Sequence, residues 1–258
     1  MELKNKKIYV VSALLMLAAA VFIASIARAV PVNPDSLNVS DSDRRTQFGS
    51  DTPKTLGAQA GNVTELTINT TTISQRWQGY YGNISGSITL DNANNWTMYS
   101  WAGDITPQGE ILAADALISN WTGIICANLS TLYKGENCTG NYNGSCLNIT
   151  ELQAKFGGDI NGGESVNSTF SSTANIQLDT GLISGCPATN LYSNDAAQTK
   201  NWTEVLLYEN NTETVVFASI INASTIGFDN TSWDFQMIVG DNGESVGTTT
   251  YYFYVELA

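Results

Sequence analysis

The sequence predicts an all-β, antiparallel fold of β-sandwich or jelly-roll type, preceded by an N-terminal signal helix and holding at most one short helix of its own. Three observations predict it. Between Arg76 and Asp91, Ile84, Gly86, Ile88 and Leu90 share one parity and Ser85, Ser87 and Thr89 the other, the period of a half-buried strand. The last third reads as four short strands, at 202–208, 215–221, 233–239 and 249–257, with Asn-, Asp- and Gly-rich turns between them, a spacing typical of sandwiches and barrels. A helix start occurs at one place only. There Asn148 precedes Glu151 at capping-box spacing, and Gly157-Gly158 follows Phe156 as a stop.

Taken in order, residues 1–29 read as a targeting segment. Lys4, Lys6 and Lys7 precede an apolar run from Ile8 to Ala27, and Ala27-Arg28-Ala29 has the small-residue pattern of a cleavage site. The run is also long enough for an uncleaved anchor. Either way the rest of the chain is expected outside the cell, or on its surface, touching the membrane only through this segment. Removing it takes four of the 11 basic and one of the 24 acidic residues, leaving 7 − 23 = −16. With seven scattered cations no basic stripe can form, so nucleic acid is not an expected partner.

Residues 30–61 form a polar arm with three of the five prolines. Its composition suits an extended tether, or a strand that adds to a neighbouring subunit. Residues 62–258 are expected to make one β domain, with 126–163 as an alternative internal boundary. Strands are predicted at 62–68, 84–90, 96–101 and 110–113, and at 118–127 running into Cys126. A return to strand is predicted over 166–182. The last strand is apolar on both parities, Tyr251, Phe253, Val255 and Leu257 against Tyr252 and Tyr254, which predicts a place near the middle of a sheet.

Four cysteines in an exported chain imply two disulfides. Cys138 and Cys146 bracket a turn-rich loop, which favours pairing them and leaves Cys126 with Cys186. There is no histidine, which excludes Ser-His-Asp and Cys-His catalysis and disfavours zinc or iron sites. A pair of carboxylates acting on a glycoside remains open, with Glu65, Asp91, Glu110, Glu204 and Asp234 as candidates. Two oxygen-rich turns, one with Asp159, Asn161, Gly163 and Glu164 and the other Asp241-Asn242-Gly243-Glu244, have ligands for Ca²⁺ without completing an EF-hand loop. No other cofactor is expected. Trp77, Tyr80, Tyr81 and Trp101 are the candidates for stacking against a sugar ring, or else they are core.

The strongest chemical signal is the N-glycan acceptor Asn-x-Ser/Thr. It occurs at Asn38, Asn62, Asn69, Asn83, Asn95, Asn120, Asn128, Asn137, Asn143, Asn148, Asn167, Asn201, Asn210, Asn222 and Asn230. With 26 Asn and 51 Ser or Thr in 258 residues, chance gives roughly five, and the turn-rich composition accounts for only part of the excess. A heavily glycosylated surface protein with an archaeal host fits best.

The motifs Trp77-Gln-Gly-Tyr80-Tyr-Gly82-Asn83, Glu204-Val-Leu-Leu-Tyr208, Gly227-Phe-Asp229, Asp234-Phe-Gln-Met-Ile-Val239 and Tyr251-Tyr-Phe-Tyr-Val-Glu256 resemble those of a group of uncharacterised secreted archaeal cell-surface proteins. The resemblance covers 62–257 and implies an extracellular or surface location; it brings no catalytic or binding residues. The expected function is therefore a non-enzymatic surface component of an envelope, filament or adhesive layer, with copies of itself, other envelope proteins or glycans as partners. An extracellular carbohydrate-binding module is the alternative, and a secreted carboxylate-dependent hydrolase the third reading.

Overall fold

The computed structural model describes residues 30–44, 55–69, 72–101, 108–127, 149–156, 162–193, 199–241 and 248–258. The signal segment, Cys138, Cys146, Asn128, Asn137, Asn143 and Asn148 lie outside them. The fold is mostly antiparallel β, as predicted. Its strands are β1 (Trp77–Gly82), β2 (Thr89–Asp91), β3 (Thr97–Ser100), β4 (Gly109–Ala114), β5 (Ile124–Cys126), β6 (Ser172–Leu178), β7 (Gly181–Ser193), β8 (Thr199–Glu209), β9 (Thr214–Ile220), β10 (Thr225–Ile226), β11 (Ser232–Trp233), β12 (Phe235–Gly240) and β13 (Tyr252–Leu257). Two short helices, α1 (Ile149–Lys155) and α2 (Val166–Thr169), complete it.

The main sheet runs β13-β4-β9-β8-β7-β6, and β5 pairs with the far end of β8. Its most deeply buried strands include β4 and β9, in which every residue except Ile220 is buried, on both parities. Alternation divides these side chains between two cores. Ile111, Ala113, Leu206, Tyr208, Val215 and Phe217 face one; Leu112, Ala114, Val205, Leu207, Val216 and Ala218 face the other.

The first core is closed by a second layer, the β1–β12 ribbon with both helices. Trp77, Met237 and Val239 enter from the ribbon, and Leu152, Phe156, Val166 and Phe170 from the helical segment. Phe217 is the hub, with its ring against Trp77, Phe156, Phe170 and Tyr251. The second core is closed by the sheet itself. In a flat sheet β4 and β6 would lie about 19 Å apart, yet Ile176 and Leu178 of β6 share a core with Leu112 and Ala114 of β4, so the sheet coils over. The Cys126–Cys186 disulfide, the predicted pairing, joins β5 to β7 across a separation of 60 residues; the two strands pair with neighbouring stretches of β8.

Several predicted elements are corrected. Residues 62–69 make no ladder and are exposed throughout. The alternating run 84–90 is not a continuous strand. Ile84 instead gives its N–H to Asp234 Oδ2 at 2.9 Å, Gly86 passes so close to Leu257 that a Cβ would sit 2.8 Å from its Cδ1, and pairing resumes only at Thr89. Of 118–127, only Ile124–Cys126 is strand. A second helix, α2, occupies the start of the segment read as strand; Ser165 caps it, its Oγ accepting the Ser168 N–H at 3.1 Å.

The last correction concerns β13, which is an edge strand of the main sheet rather than a central one. Both its faces are covered, because Phe253 and Val255 pack on the first core and Tyr254 on the second. Layering, not lateral pairing, produced the two-sided apolar pattern.

Candidate functional site

The four predicted stacking residues part company in the structure. Trp77 and Tyr80 turn inward. The Trp77 indole N–H donates to Glu164 O at 3.0 Å, its ring joins the Phe217 hub, and Tyr80 packs edge-on against Phe253 at 5.2 Å. Both are core. Tyr81 and Trp101 point out, 42% and 47% exposed. Trp101 meets Tyr99 at 4.8 Å on the β2–β3 hairpin. Tyr81 joins a group that pattern reading did not anticipate, with Phe228 at 4.8 Å and Trp233 at 5.1 Å.

The candidate carboxylates do not form one site. Glu65 and Asp91 are exposed on different segments. Glu110 shares a face with Leu112, whereas Glu204 shares one with Leu206, so the two are on opposite sides of the sheet. Glu110 does lie directly across from Glu256 in the β4–β13 register, and both are buried.

Glu204 and Asp234 have structural work. β12 is paired with β1 on one side, and side chains of the main sheet meet backbone groups along it. Glu204 Oε2 accepts the Ile238 N–H at 2.8 Å, Ser219 Oγ donates to Gln236 O at 2.6 Å, and the Tyr251 hydroxyl donates to Gly240 O. These bonds tie the two layers and satisfy strand groups that water cannot reach. Glu204 is fully buried and its Oε1 has no hydrogen-bond partner. Burial pushes this carboxyl well above the usual range, and the Ile238 N–H pulls partway back. Asp234 latches two loops, taking the N–H of Ile84 at Oδ2 and of Ser224 at Oδ1, both at 2.9 Å.

Glu209 shows the opposite balance. Burial raises its pKa, but hydrogen bonds from Thr212 and Asn211 outweigh burial and hold it below the usual range. Its carboxylate caps the β8–β9 turn, accepting from the Thr212 N–H at 2.6 Å and the Asn211 N–H at 3.1 Å.

Among the described residues no group of three or more His, Cys, Asp or Glu is gathered for a metal. Of the two oxygen-rich turns, Asp159, Asn161, Asn242, Gly243 and Glu244 lie outside the described residues. Glu164 is engaged by the backbone, both its oxygens 3.2 Å from the Gln75 N–H.

Two surface features remain. The first is the arm. Val32 forms an antiparallel bridge with Val255, with both N–H···O bonds at 2.9 Å, so the chain's own arm sits on the open edge of β13. In that register Pro34 would oppose Phe253 and has no N–H to give, which stops the ladder after one bridge. Further along the arm Leu56 is exposed, and in the segment that follows it so are Val63, Leu66 and Ile68. The second feature is the placement of the acceptors. Asn38, Asn62, Asn69, Asn83, Asn95, Asn120, Asn167, Asn222 and Asn230 are exposed, and Asn201 and Asn210 are half-buried. Compared with known proteins, the chain matches no family model, no curated protein and no solved structure.

Proposed function

We propose that this chain is a secreted, N-glycosylated structural protein of an archaeal cell surface, a subunit of an envelope, filament or adhesive layer without catalytic activity of its own. The arm, with the segment 62–69 that follows it, is what links it to its neighbours. The observation that carries the proposal is the open edge of β13, together with a separate strand-forming segment that has no ladder of its own among the described residues. The edge is capped at Val255 alone among its described pairings, while 62–69, with Leu66 and Ile68 on one parity, stays exposed. An edge of unpaired N–H and C=O groups is a template for a strand from another chain. Exposed acceptors around the domain agree with a glycan coat, and the disulfide with an oxidising location.

The proposal is tested by shaving intact host cells with protease and mapping released peptides by mass spectrometry. Release of this chain with sugar on its Asn-x-Ser/Thr sites is expected. Recovery only from the cell interior, unmodified, would sink it.

The exposure of Tyr81 and Trp101 favours a second reading, a carbohydrate-binding module. Loss of glycan-array binding in Tyr81→Ala or Trp101→Ala, with the melting temperature unchanged, would support it. Trp77→Ala is not a fair probe, because Trp77 is part of the core.

A further inference from the structure

The β10–β11 hairpin turns through Gly227-Phe228-Asp229-Asn230-Thr231. The Asn230 N–H bonds to Gly227 O at 3.2 Å and the Gly227 N–H to Thr231 O at 2.7 Å. Asn230 has φ +63°. This is a three-residue loop with a left-handed third position, the usual partner of a bulge. It is held rigidly. Asp229 Oδ1 accepts the Thr231 N–H at 2.9 Å and the Trp233 indole N–H at 3.0 Å. The Phe228 N–H bonds to Gln236 Oε1 at 2.8 Å. A Cβ on Gly227 would sit 2.6 Å from Trp233 Cδ1, so the indole lies against the bare backbone of the turn.

This construction leaves Phe228 48% exposed beside Tyr81. An exposed ring at the tip of a hydrogen-bonded turn is a surface that a neighbouring group can cover, and the chain carries an attachment point for one. Asn230 opens Asn230-Thr231-Ser232, two residues after Phe228. Tyr81 stands in the same relation to Asn83-Ile84-Ser85. Among the described acceptors, Asn83 and Asn230 alone follow an exposed aromatic by two residues, and these two aromatics touch each other. Two residues span at most about 7 Å, which keeps a sugar on Asn230 within reach of the ring.

We propose that Phe228, with Tyr81 and Trp233, is a built-in platform for the first sugar of a glycan on Asn230. A pyranose has an apolar face of axial C–H groups. Laid on an aromatic ring, that face leaves water and meets the negative face of the π system. Because the turn is already fixed, little further ordering is needed. The inference rests on the glycosylation reading above and adds that one site is stabilising rather than merely solubilising.

The test is a double-mutant cycle on the full chain, secreted from an N-glycosylating eukaryotic host and trimmed enzymatically to one N-acetylglucosamine per site. Phe228→Ala removes the platform, and Ser232→Ala removes the acceptor while keeping Asn230 in its strained turn. Site occupancy is read by mass spectrometry. With Phe228 present, Ser232→Ala should lower Tm by about 2–4 °C, and with Ala at 228 the same change should have little effect. Sugar protons on Asn230 should show upfield ring-current shifts that vanish in Phe228→Ala. Equal effects of Ser232→Ala in both backgrounds, or an empty Asn230 on a chain glycosylated elsewhere, would overturn the platform alone. A chain with no sugar at any site would overturn the glycosylation reading as well. Free N-acetylglucosamine that quenches Trp233 fluorescence in Ser232→Ala but not in Phe228→Ala would replace the platform with a binding site for external sugar.

Discussion

Strand β9 and the segment 62–69 contain the same kinds of residue and end in opposite places. Thr214–Ile220 holds two Val, a Phe and an Ile and is buried along nearly its whole length. Residues 62–69 hold Val63, Leu66 and Ile68 among Thr, Asn and Glu65, and every residue is exposed. Both have the β-branched content that suits a pleated surface. The difference is in their neighbours. β9 lies between β4 and β8 and under the β1–β12 ribbon, whereas 62–69 has no ladder beside it among the described residues. Strand propensity says that a segment can pair; it does not say with which chain. The β2–β3 hairpin, with Trp96, Met98 and Tyr99 exposed, belongs with 62–69.

The comparison can be broken most forcefully at the buried end. Phe217→Ala removes the ring that joins both layers of the first core and should cost about 3–5 kcal/mol, read as a lower denaturant midpoint. A change of less than 1 kcal/mol would mean that the two layers do not depend on this hub. Cys126→Ser with Cys186→Ser releases β5 from β7 and should cost about 4 kcal/mol by loop-closure entropy. An unchanged midpoint in the double variant would mean that β5 and β7 hold their places on β8 without the bond.

Glu204 sharpens the account through pH. A carboxyl whose folded pKa is raised binds its proton more tightly folded than unfolded. Its contribution is therefore full below the unfolded value of about 4.3 and is lost as pH rises toward the folded value. Stability should fall over that window in the parent, and Glu204→Gln should flatten the fall. Gln keeps an acceptor for the Ile238 N–H, so its stability near neutral pH should equal or exceed the parent's. Identical pH profiles would remove Glu204 from the interior as a titrating group.

The smallest effect on stability is expected at the exposed end. Leu66→Asp with Ile68→Asp should leave Tm within the range of ordinary surface changes, about 0.5 kcal/mol, yet prevent assembly. A large loss of Tm would show that 62–69 packs within its own chain after all.

What the sequence made legible follows the same division. The strands of the last third and the Cys126–Cys186 pairing could be read because each depends on local pattern, or on the elimination of one other pair. Helix α2 escaped, since its four residues are barely one turn, far short of the roughly 11–18 residues over which helical periodicity can be read. The edge position of β13 escaped for a more general reason. Burial on both faces reports the layers above and below a strand, and edge or centre is decided by lateral partners that the pattern does not record. Among the candidate site residues, Trp77 and Tyr81 are four apart in one motif and go to core and surface respectively. The Tyr81–Phe228–Trp233 group joins residues about 150 positions apart, which no window could connect. The one readable hint was an aromatic two residues before an acceptor, at Asn83, Asn210 and Asn230, a pattern that does not separate buried Tyr208 from exposed Tyr81 and Phe228.

The central claim is that the exposed N-terminal segments are partners for other copies of this chain. Negative-stain microscopy of the protein gently released from its host's envelope tests it most directly, with and without residues 30–69. Filaments or sheets that dissolve when those residues are removed are the predicted result. Dispersed single particles from the intact chain, at every concentration that the envelope yields, would contradict it.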